Sequence, residues 1–392
     1  MKITYLCDLP LLAQDAPSLH ILEICKNLEI QNHDVTLFAP NIVKFSPHTK
    51  FKIIYLPAPF RQITLFYQPI LFFYLIFYLI NHRPDILFIR QDPFLFLPIL
   101  LGKIYRIPVI TEINGIQEKE IKKAAKYNKA IKIFILLKGV FLLYGIELFT
   151  YLFSTKIITV AEGIKKYIVK KYSISADKII VIQNGVDTKT FRPMNIYKTQ
   201  KELNLDTKNK YVGFVGGIVK WQGLEYLLKA IPTIIKTIPN ARFIIVGEGE
   251  FKNELIKLSH ELDISQYIYF VGSIPHYMVP KYINSFHVCV SYYTKERNNI
   301  TSPFKIYEYL ACGKSTIISN IDGLKNVFDK IAIVTKAEDT NDLANKIIYA
   351  LNHNNFRNKL GINSRNYVLN GHSWQNVSCQ IEAVLRHESN LI

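Results

Sequence analysis

Short apolar runs alternate with longer helical patterns from the first residues of the chain. The runs Ile3–Leu6 and Val35–Phe38 flank the stretch Ser18–Gln31, which has helical spacing. Such alternation predicts βαβ units in a parallel sheet. Further strands are predicted at Ile53–Leu56, Ile86–Ile89, Val109–Thr111, Ile157–Val160 and Ile179–Ile182. We therefore expect a first doubly wound α/β domain over residues 1–192.

A second alternation follows a polar stretch that ends at Lys210 and is typical of a linker. Its predicted strands are Tyr211–Val215, Phe243–Val246, Tyr267–Val271, His287–Ser291, Ser315–Ile318 and Ile331–Val334. These elements predict a second doubly wound domain over residues 205–370. Ligands of open α/β sheets bind beyond the carboxyl ends of the strands, so two such domains with facing parallel sheets predict a cleft.

Composition is that of a folded protein with two substantial cores, because 49% of the 392 residues are hydrophobic and 20% are charged. The five cysteines show no pairing or metal-ligand spacing, which is typical of a reducing cytoplasm. The amino terminus lacks the long apolar run of a secretory signal. The sequence therefore predicts a cytoplasmic location.

The formal net charge is +17, from 48 basic and 31 acidic side chains. This excess favours anionic partners such as nucleotides, nucleic acid or anionic lipid, although a genomic bias toward lysine explains it equally well. No nucleic-acid recognition motif accompanies the charge, so we expect no nucleic-acid partner.

Two apolar stretches bear on membrane attachment. Pro69–Ile80 is apolar apart from tyrosine hydroxyls but too short to cross a bilayer, and Ile131–Phe153 contains Lys132, Lys138 and Glu147. Pro69–Ile80 is interpreted either as a helix buried against the first sheet or as an interfacial anchor. Lysines recur at helical spacing before the second stretch, at Lys119, Lys122, Lys123, Lys126, Lys129 and Lys132. A basic stripe followed by an apolar helix favours peripheral attachment to an anionic membrane surface.

The segment TSPFKIYEYLACGK, residues 301–314, combines a helix start with a lysine and a glutamate. Ser302 is the expected N-cap and Pro303 suits the first turn, so the N–H groups of Phe304 and Lys305 are expected to point outward and attract phosphate. Glu308 follows Lys305 by three residues on nearly the same helical face and can accept hydrogen bonds from ribose hydroxyls. The segment therefore predicts a site for a sugar nucleotide.

A glycine-rich turn is predicted to form the opposite wall of this site. In YVGFVGGIVKWQG, residues 211–223, Gly216 and Gly217 stand where a strand ends. Glycine lets the chain turn tightly against a phosphate, although such turns also serve packing alone.

The chain resembles the family four retaining glycosyltransferases of GT-B architecture over nearly its whole length. Six segments carry the resemblance in order: QNHDVTLFAP from Gln31, VIQNGVDTKTFRP from Val181, FVGGIVKWQG from Phe214, FIIVGEGE from Phe243, YFVGSIP from Tyr269 and SPFKIYEYLACGK from Ser302. The resemblance implies that residues 371–392, which begin near His372-Ser373-Trp374, form a helix that crosses back to the first domain.

The resemblance also implies a reaction, in which a sugar moves from a nucleotide-diphosphate donor to an acceptor hydroxyl with retention of anomeric configuration. No metal and no other cofactor is implied, and the sequence contains no Asp-x-Asp motif. The leaving diphosphate would then be stabilised by backbone N–H groups and by Lys305. The expected partners are a nucleotide sugar, a glycan or lipid-linked acceptor of cell-surface polysaccharide or glycolipid synthesis, and the inner face of the cell membrane.

Several positions depart from the commoner family pattern. The first of two motif glutamates falls on Ile300, which leaves the donor sugar open. The usual Arg and Lys after the glycine turn fall on Gly217 and Gln222, so Lys220 is the nearest cation that could substitute. The usual histidine after the fifth strand falls on Asn114, which can still bind a sugar hydroxyl.

Two further residues are candidates for substrate contact. His20 could reach the acceptor from the start of the first helix or be structural, and Glu248 lies where the family binds base or ribose. Two other functions stay open: a sugar-nucleotide epimerase of the same architecture, and a degenerate nucleotide-sugar-binding subunit, suggested by Ile300, Gly217 and Gln222.

Overall fold

The computed structural model describes residues 1–12, 16–42, 47, 49–58, 67–91, 95–116, 118, 139–297 and 302–390. The chain divides into two compact units, Met1–Gln183 with Val377–Ile392 and Asn184–Asn376. These limits lie near the predicted boundaries at residues 192 and 371.

The first unit contains a seven-stranded sheet with the order β3-β2-β1-β4-β5-β6-β7, in which every neighbouring pair is parallel. The strands are β1 Lys2–Leu6, β2 Asp34–Asn41, β3 Lys52–Pro57, β4 Ile86–Arg90, β5 Val109–Ile113, β6 Lys156–Thr159 and β7 Ile179–Val181. All residues of β4 and β5 are buried, as expected for parallel strands covered on both faces. The order reverses between β1 and β4, which makes that point the topological switch of the sheet.

Helices of the first unit include α1 Ala16–Ile30, α2 Tyr67–His82, α3 Leu97–Tyr105, α4 Gly139–Phe153 and α5 Glu162–Tyr172. Helix α2 contains the apolar stretch Pro69–Ile80. Its residues Leu71, Leu75 and Leu79 are buried in the core, whereas Phe73 is 60% exposed and Phe77 is 67% exposed. One face of the helix is therefore buried and the other is exposed and apolar.

The remaining predictions about membrane segments have different outcomes. The lysine stripe over residues 119–132 and the start of the stretch 131–153 lie outside the described residues. Among the helices that the structure describes, none is long and apolar enough to span a bilayer.

The second unit contains a six-stranded sheet with the order β10-β9-β8-β11-β12-β13, again parallel throughout. The strands are β8 Lys210–Val215, β9 Ala241–Val246, β10 Ile268–Gly272, β11 Val288–Ser291, β12 Ser315–Ser319 and β13 Ile333–Thr335. The switch point of this sheet lies between β8 and β11. Both predicted sets of strands are therefore confirmed, with ends that differ by a few residues.

Helices of the second unit include α6 Ile196–Glu202, α7 Leu224–Thr237, α8 Lys252–Glu261, α9 Val279–Ser285, α10 Phe304–Ala311, α11 Asp322–Phe328, α12 Thr340–Asn352 and α13 Asn354–Gly371. Helix α7 shows why these segments are helical. Its buried positions Leu224, Leu227, Leu228, Ile231 and Ile234 repeat at three- and four-residue spacing, which forms one apolar stripe against the sheet.

The last helix, α14, extends over Trp374–Ser389. Ser373 Oγ accepts a hydrogen bond from the backbone N–H of Asn376 at 3.1 Å, so the predicted helix start is confirmed. From Val377 onward the helix belongs to the first unit, where Glu382 lies 2.9 Å from His33.

Candidate functional site

The switch point of the second sheet is where the sequence placed its two main motifs. Gly216 directly follows β8, and the segment that leads into α10 connects from β11. The carboxyl ends of these neighbouring parallel strands meet at one edge of the sheet. A Cβ atom at Gly216 would lie only 2.7 Å from Lys305 Nζ. The glycine turn and the lysine therefore lie next to each other, and their role as opposite walls of a nucleotide site stays a prediction.

The glycines of this edge have different roles. Gly216 has φ 146° and Gly247 has φ 132°, and a Cβ atom at Gly247 would lie 2.0 Å from the carbonyl oxygen of Gly216. Both positions therefore exclude a side chain. Gly217 is exposed, and a Cβ atom there would meet nothing within 4 Å. It therefore has open space around its Cα atom.

Lys305 lies in the first turn of α10 with its ammonium group enclosed by polar and aromatic side chains. Its Nζ donates a hydrogen bond to Gln222 Oε1 at 2.8 Å and lies 4.1 Å from the ring centroid of Phe214. The ring centroid of Tyr293 is 5.7 Å away. Burial lowers the pKa of Lys305 to about 7, although the nearby Glu308 carboxylate acts in the opposite direction. A bound anion would favour the protonated form.

Gln222 is a functional candidate whose role the sequence reasoning missed. It is buried at the end of the 3₁₀ turn Lys220–Gln222, where its amide oxygen holds the Lys305 ammonium group. We interpreted this position as the loss of a cation. The segment IVKWQG offered no clear local signal, because Lys220 is also polar there. Lys220 is exposed at the start of the same turn, and its substitute role stays a prediction.

The predicted N-cap of α10 is wrong by one residue. The helix begins at Phe304, and its N-cap is Pro303, with φ −77° and ψ 123°. Ser302 contacts Asn184 instead: its Oγ accepts from the Asn184 backbone N–H at 3.2 Å, and its carbonyl oxygen accepts from the Asn184 side-chain amide at 2.6 Å. The proline therefore occupies the cap position, and the serine is held by Asn184 instead. The N–H groups of the first turn of a helix have no partner inside the helix, so the start of α10 can still attract an anion, as expected.

Glu308 lies one turn after Lys305, and its Oε1 is 3.6 Å from Nε2 of His276. His276 begins a 3₁₀ turn that follows β10, so it reaches the same edge of the sheet from another strand. The sequence reasoning did not single it out, although it directly follows the block YFVGSIP. The carboxylate therefore remains available to accept hydrogen bonds from a ligand at this edge.

Glu248 also lies at this edge, after β9. Its side chain is half exposed, and Oε1 accepts a hydrogen bond from Lys252 Nζ at 2.6 Å. The carboxylate is close to Gly272, where a Cβ atom would lie 3.1 Å from it. Contact with base or ribose stays a prediction.

The first unit contains a buried polar cluster near its own switch point. His20 Nε2 contacts the Glu112 carboxylate, and Glu112 also accepts a hydrogen bond from the Tyr5 hydroxyl at 2.8 Å. Burial alone would raise the pKa of Glu112, but His20, Arg90 and Tyr5 together hold it at about 2. The sequence reasoning did not identify Glu112. A charged residue inside the buried strand VITEI was the signal that could have indicated it. His20 thus has a buried structural partner, and its contact with an acceptor stays a prediction.

Asn114 directly follows β5 and is half-buried. Its side-chain nitrogen is buried without a hydrogen-bond partner among the described residues. An amide donor in this state is suited to a hydroxyl or carbonyl oxygen of a ligand.

The fold and this site define an α/β protein with two doubly wound units and an anion-attracting edge in the second. The family model described as glycosyl transferases group 1 matches residues 195–367, and that of glycosyltransferase family 4 matches residues 18–190. The chain belongs to the group 1 glycosyltransferases and has the GT-B architecture. The resemblance noted from the sequence is confirmed.

Curated relatives are similar at moderate identity. Two uncharacterised glycosyltransferases of Methanocaldococcus jannaschii are 26% identical over 236 residues and 25% identical over 381 residues. The first alignment covers 57% of this chain and 58% of the relative, and the second covers 91% of each. An Escherichia coli UDP-Gal:alpha-D-GlcNAc-diphosphoundecaprenol alpha-1,3-galactosyltransferase is 29% identical over 245 residues, covering 60% of this chain and 61% of that protein. The chain thus spans about three fifths of the length of two of these relatives.

Solved structures show the same fold. Sucrose-phosphate synthase from Thermosynechococcus elongatus matches with a TM-score of 0.75 at 18% identity and 99% coverage of both chains. Anabaena HepE in complex with UDP matches with a TM-score of 0.74 at 15% identity, covering 99% of this chain and all of that one. At these identities the similarity extends to the fold and no further.

Proposed function

We propose that this chain transfers a sugar from a nucleotide-diphosphate sugar to a hydroxyl of a glycan or lipid-linked acceptor, with retention and without a metal ion. The observation that carries the proposal is the enclosed Lys305 ammonium group beside the Gly216 turn and the start of α10. Family membership and the UDP complex of HepE support a nucleotide-diphosphate donor.

In the proposed reaction the bond between the anomeric carbon and the β-phosphate oxygen breaks as the acceptor oxygen bonds to that carbon. The acceptor proton passes to the leaving phosphate, so no side chain serves as the base. Lys305 and the first-turn N–H groups of α10 stabilise the charge on the leaving diphosphate, and one such donor contributes about 2.7 to 4 kcal/mol to the transition state. Gln222 positions the ammonium group, and Glu308 accepts hydrogen bonds from the ribose hydroxyls.

On the acceptor side we propose Asn114 and His20 of the first unit. Asn114 offers a buried amide donor, and His20 is held by Glu112. A nucleotide-sugar-binding subunit without transfer activity is the alternative that Gln222 and Gly217 suggested. The hydrogen bond between Gln222 and Lys305 weakens that alternative, because the substituted residue retains a role at the site.

A donor screen tests the proposed function. The purified chain is incubated with UDP-, GDP- and other activated sugars, with and without membrane extract, in buffer containing EDTA. We expect release of one nucleoside diphosphate above background, stimulated by the extract, and a product with the anomeric configuration of the donor. A requirement for a divalent cation, or an inverted product, would contradict the proposed mechanism, and donor binding without turnover would favour the binding subunit.

We also propose that the protein attaches to the inner face of the cell membrane through the first unit. Helix α3 packs against both α2 and α4, and these helices present large exposed apolar side chains. They are Phe73, Tyr74, Phe77, Ile80, Leu100, Ile104, Phe141, Leu142, Leu152 and Phe153. We call this set the apolar helix face.

A basic cluster, Lys103, Lys156 and Lys178, accompanies the apolar helix face. Lys178 Nζ donates to the carbonyl of Leu152 at 2.7 Å, and burial together with Lys103 and Lys156 lowers the pKa of Lys178. The three ammonium groups are therefore close enough to affect one another. Anionic headgroups would offset this repulsion, and each lysine near such a surface contributes roughly 1 kcal/mol.

Flotation with liposomes tests this attachment. We expect the wild-type chain to float with vesicles rich in phosphatidylglycerol at low salt and much less with phosphatidylcholine alone. The double variant Phe73→Ser, Phe77→Ser should remain largely unbound, because both side chains are exposed and apolar. Ile362→Ser, on an exposed position of α13 in the second unit, is the matched control and should float normally. Equal flotation of all three proteins would refute the assignment of this face.

A further inference from the structure

A polar cavity of about 520 Å³ lies in the second unit at the amino edge of the sheet. Lys210 begins β8, Ser315 begins β12, and His287 directly precedes β11. These residues line the cavity together with Lys314 and Arg357. The proposed donor site lies at the carboxyl ends of the same strands, so the cavity is separated from it by the length of the sheet.

The described residues that line this cavity carry positive charge without a carboxylate among them. They include Lys208, Lys210, Lys314 and Arg357, and the rest are apolar, amide, hydroxyl, thiol or imidazole residues. A concave surface with charge of one sign concentrates ions of the opposite sign.

The most buried cation is Lys314, at 9% exposure, whose Nζ donates to the carbonyl oxygens of Asn284 at 2.8 Å and Phe286 at 3.0 Å. Arg357 Nη1 similarly donates to the carbonyls of Ala350 at 2.7 Å and Leu351 at 2.9 Å. These partners are neutral carbonyl groups. They accept hydrogen bonds from Lys314 and Arg357 but do not cancel the positive charges of these two side chains. Lys210 also donates to the Leu351 carbonyl, at 3.2 Å. A helix C-terminus offers about half an elementary charge, less than these cations carry.

The electrostatics of neighbouring groups agree with an uncompensated positive site. Burial lowers the pKa of Lys314, and Arg357 lowers it further. Burial lowers the pKa of His287, and the positive charges of Arg357, Lys314 and Lys210 lower it further, to about 3. Its imidazole is therefore neutral. Its Nδ1 accepts the Tyr211 backbone N–H at 3.0 Å, which leaves the proton on Nε2 as a donor.

Ser315 provides a second, independent indication of a ligand. It is 2% exposed, and its Oγ is buried without a hydrogen-bond partner among the described residues. A buried hydroxyl normally has a hydrogen-bond partner, and a bound oxyanion would accept a hydrogen bond from this one.

We propose that this cavity binds the phosphoryl group of a small phosphorylated molecule, at a site distinct from the donor site. Lys208, Lys210, Lys314 and Arg357 supply the charge, and Ser315 supplies a neutral hydrogen bond. The volume exceeds that of a phosphate ion and leaves room for an attached organic group. Binding reduces repulsion among the cations and thereby stabilises the second unit.

Calorimetric titration of the full chain with inorganic pyrophosphate at constant ionic strength tests this site. Saturating UDP occupies the proposed donor site, and a second titration combines saturating UDP with the Lys305→Ala variant, which removes a cation from that site. We expect pyrophosphate to bind one to one in both conditions. Lys208→Glu and Arg357→Gln should each weaken this binding by about tenfold or more, because each removes a cation that can form a charge-assisted hydrogen bond with the probe. Lys208 is exposed, so its variant should fold even if loss of Arg357 disturbs the C-terminus of α12.

Lys236→Glu is the matched control, because it reverses the charge of another exposed lysine in the second unit, on α7. Its pyrophosphate affinity should equal that of the wild type. Loss of all pyrophosphate binding in the presence of UDP and in Lys305→Ala would show that the donor site alone binds the probe. Unchanged affinity in Lys208→Glu, or an equal response to chloride at the same ionic strength, would also overturn the proposal.

Discussion

Replacing Lys305 with alanine is expected to lower kcat for sugar transfer by about 10² to 10³, because one preorganised donor to the leaving group is lost. The effect on donor KM should be smaller, since the charge that Lys305 meets grows as the diphosphate leaves. Steady-state kinetics with the donor identified by the screen provide the measurement. Glu308→Ala serves as the comparison, because an acceptor for ribose hydroxyls should affect KM more than kcat.

The control for this experiment is Lys229→Ala, which removes an exposed lysine from α7 in the same unit and should leave both constants unchanged. A kcat of the Lys305→Ala variant within a factor of two of the wild type would refute the proposed role of the ammonium group. Equal circular dichroism spectra of the variants would exclude misfolding as the cause of a loss.

The pH dependence of nucleotide binding is a further readout of the same residue, measured with the nucleoside diphosphate of the donor that the screen identifies. Since burial lowers the pKa of Lys305 to about 7, the empty site loses its cation as the pH rises above that value. The affinity for this nucleoside diphosphate should then fall by up to about tenfold per pH unit above 7, because binding has to protonate the lysine. The Lys305→Ala variant should lack this slope, and retention of the slope in that variant would assign it to another group.

Replacing Glu112 with leucine is expected to lower the free energy of unfolding by about 3 to 5 kcal/mol, because it leaves the buried polar partners of this carboxylate unpaired. Glu112 is 1% exposed, and His20, Tyr5 and Arg90 depend on its carboxylate. Urea unfolding at pH 7 measures the change. Glu162→Leu, at an exposed position in the first turn of α5, is the matched control and should change stability little.

The pH dependence of this stabilisation has a defined sign. The Glu112 pKa of about 2 in the folded state is below its ordinary value of 4.5, so the folded state favours the carboxylate. The contribution is therefore present above pH 4.5 and is lost as the pH falls toward 2. The Glu112→Leu variant should lose less stability than the wild type over that interval. Equal acid sensitivity of the two proteins would contradict the role of this pair.

His20 can be tested through the same pair. A double-mutant cycle of His20→Ala and Glu112→Leu should give a coupling of about 0.5 to 3 kcal/mol, as found for residues in contact. If His20 has a structural role alone, His20→Ala should lower stability without lowering kcat below the level that partial unfolding explains. A large loss of kcat in a fully folded His20→Ala protein would instead support contact with the acceptor.

Most of the sheet was predictable because parallel strands buried on both faces appear as apolar runs. The runs at Ile86–Ile89 and Tyr211–Val215 correspond to β4 and β8 with small differences at their ends. End positions depend on local hydrogen bonds that the pattern does not specify. At α10, for example, Asn184 holds Ser302, and the helix begins after Pro303 instead.

The amino-acid sequence by itself determined the two α/β alternations, the family, and the motifs at Gly216 and Lys305, because each depends on residues close together in the chain. Tertiary structure alone decided that Gln222 holds Lys305, that Glu112 holds His20, and that Lys210, Lys314 and Arg357 share one cavity. The residues of the first pair are 83 positions apart and those of the second are 92 apart. Burial and pKa depend on all the groups packed around a side chain, and those groups are assembled only when distant segments meet in the fold.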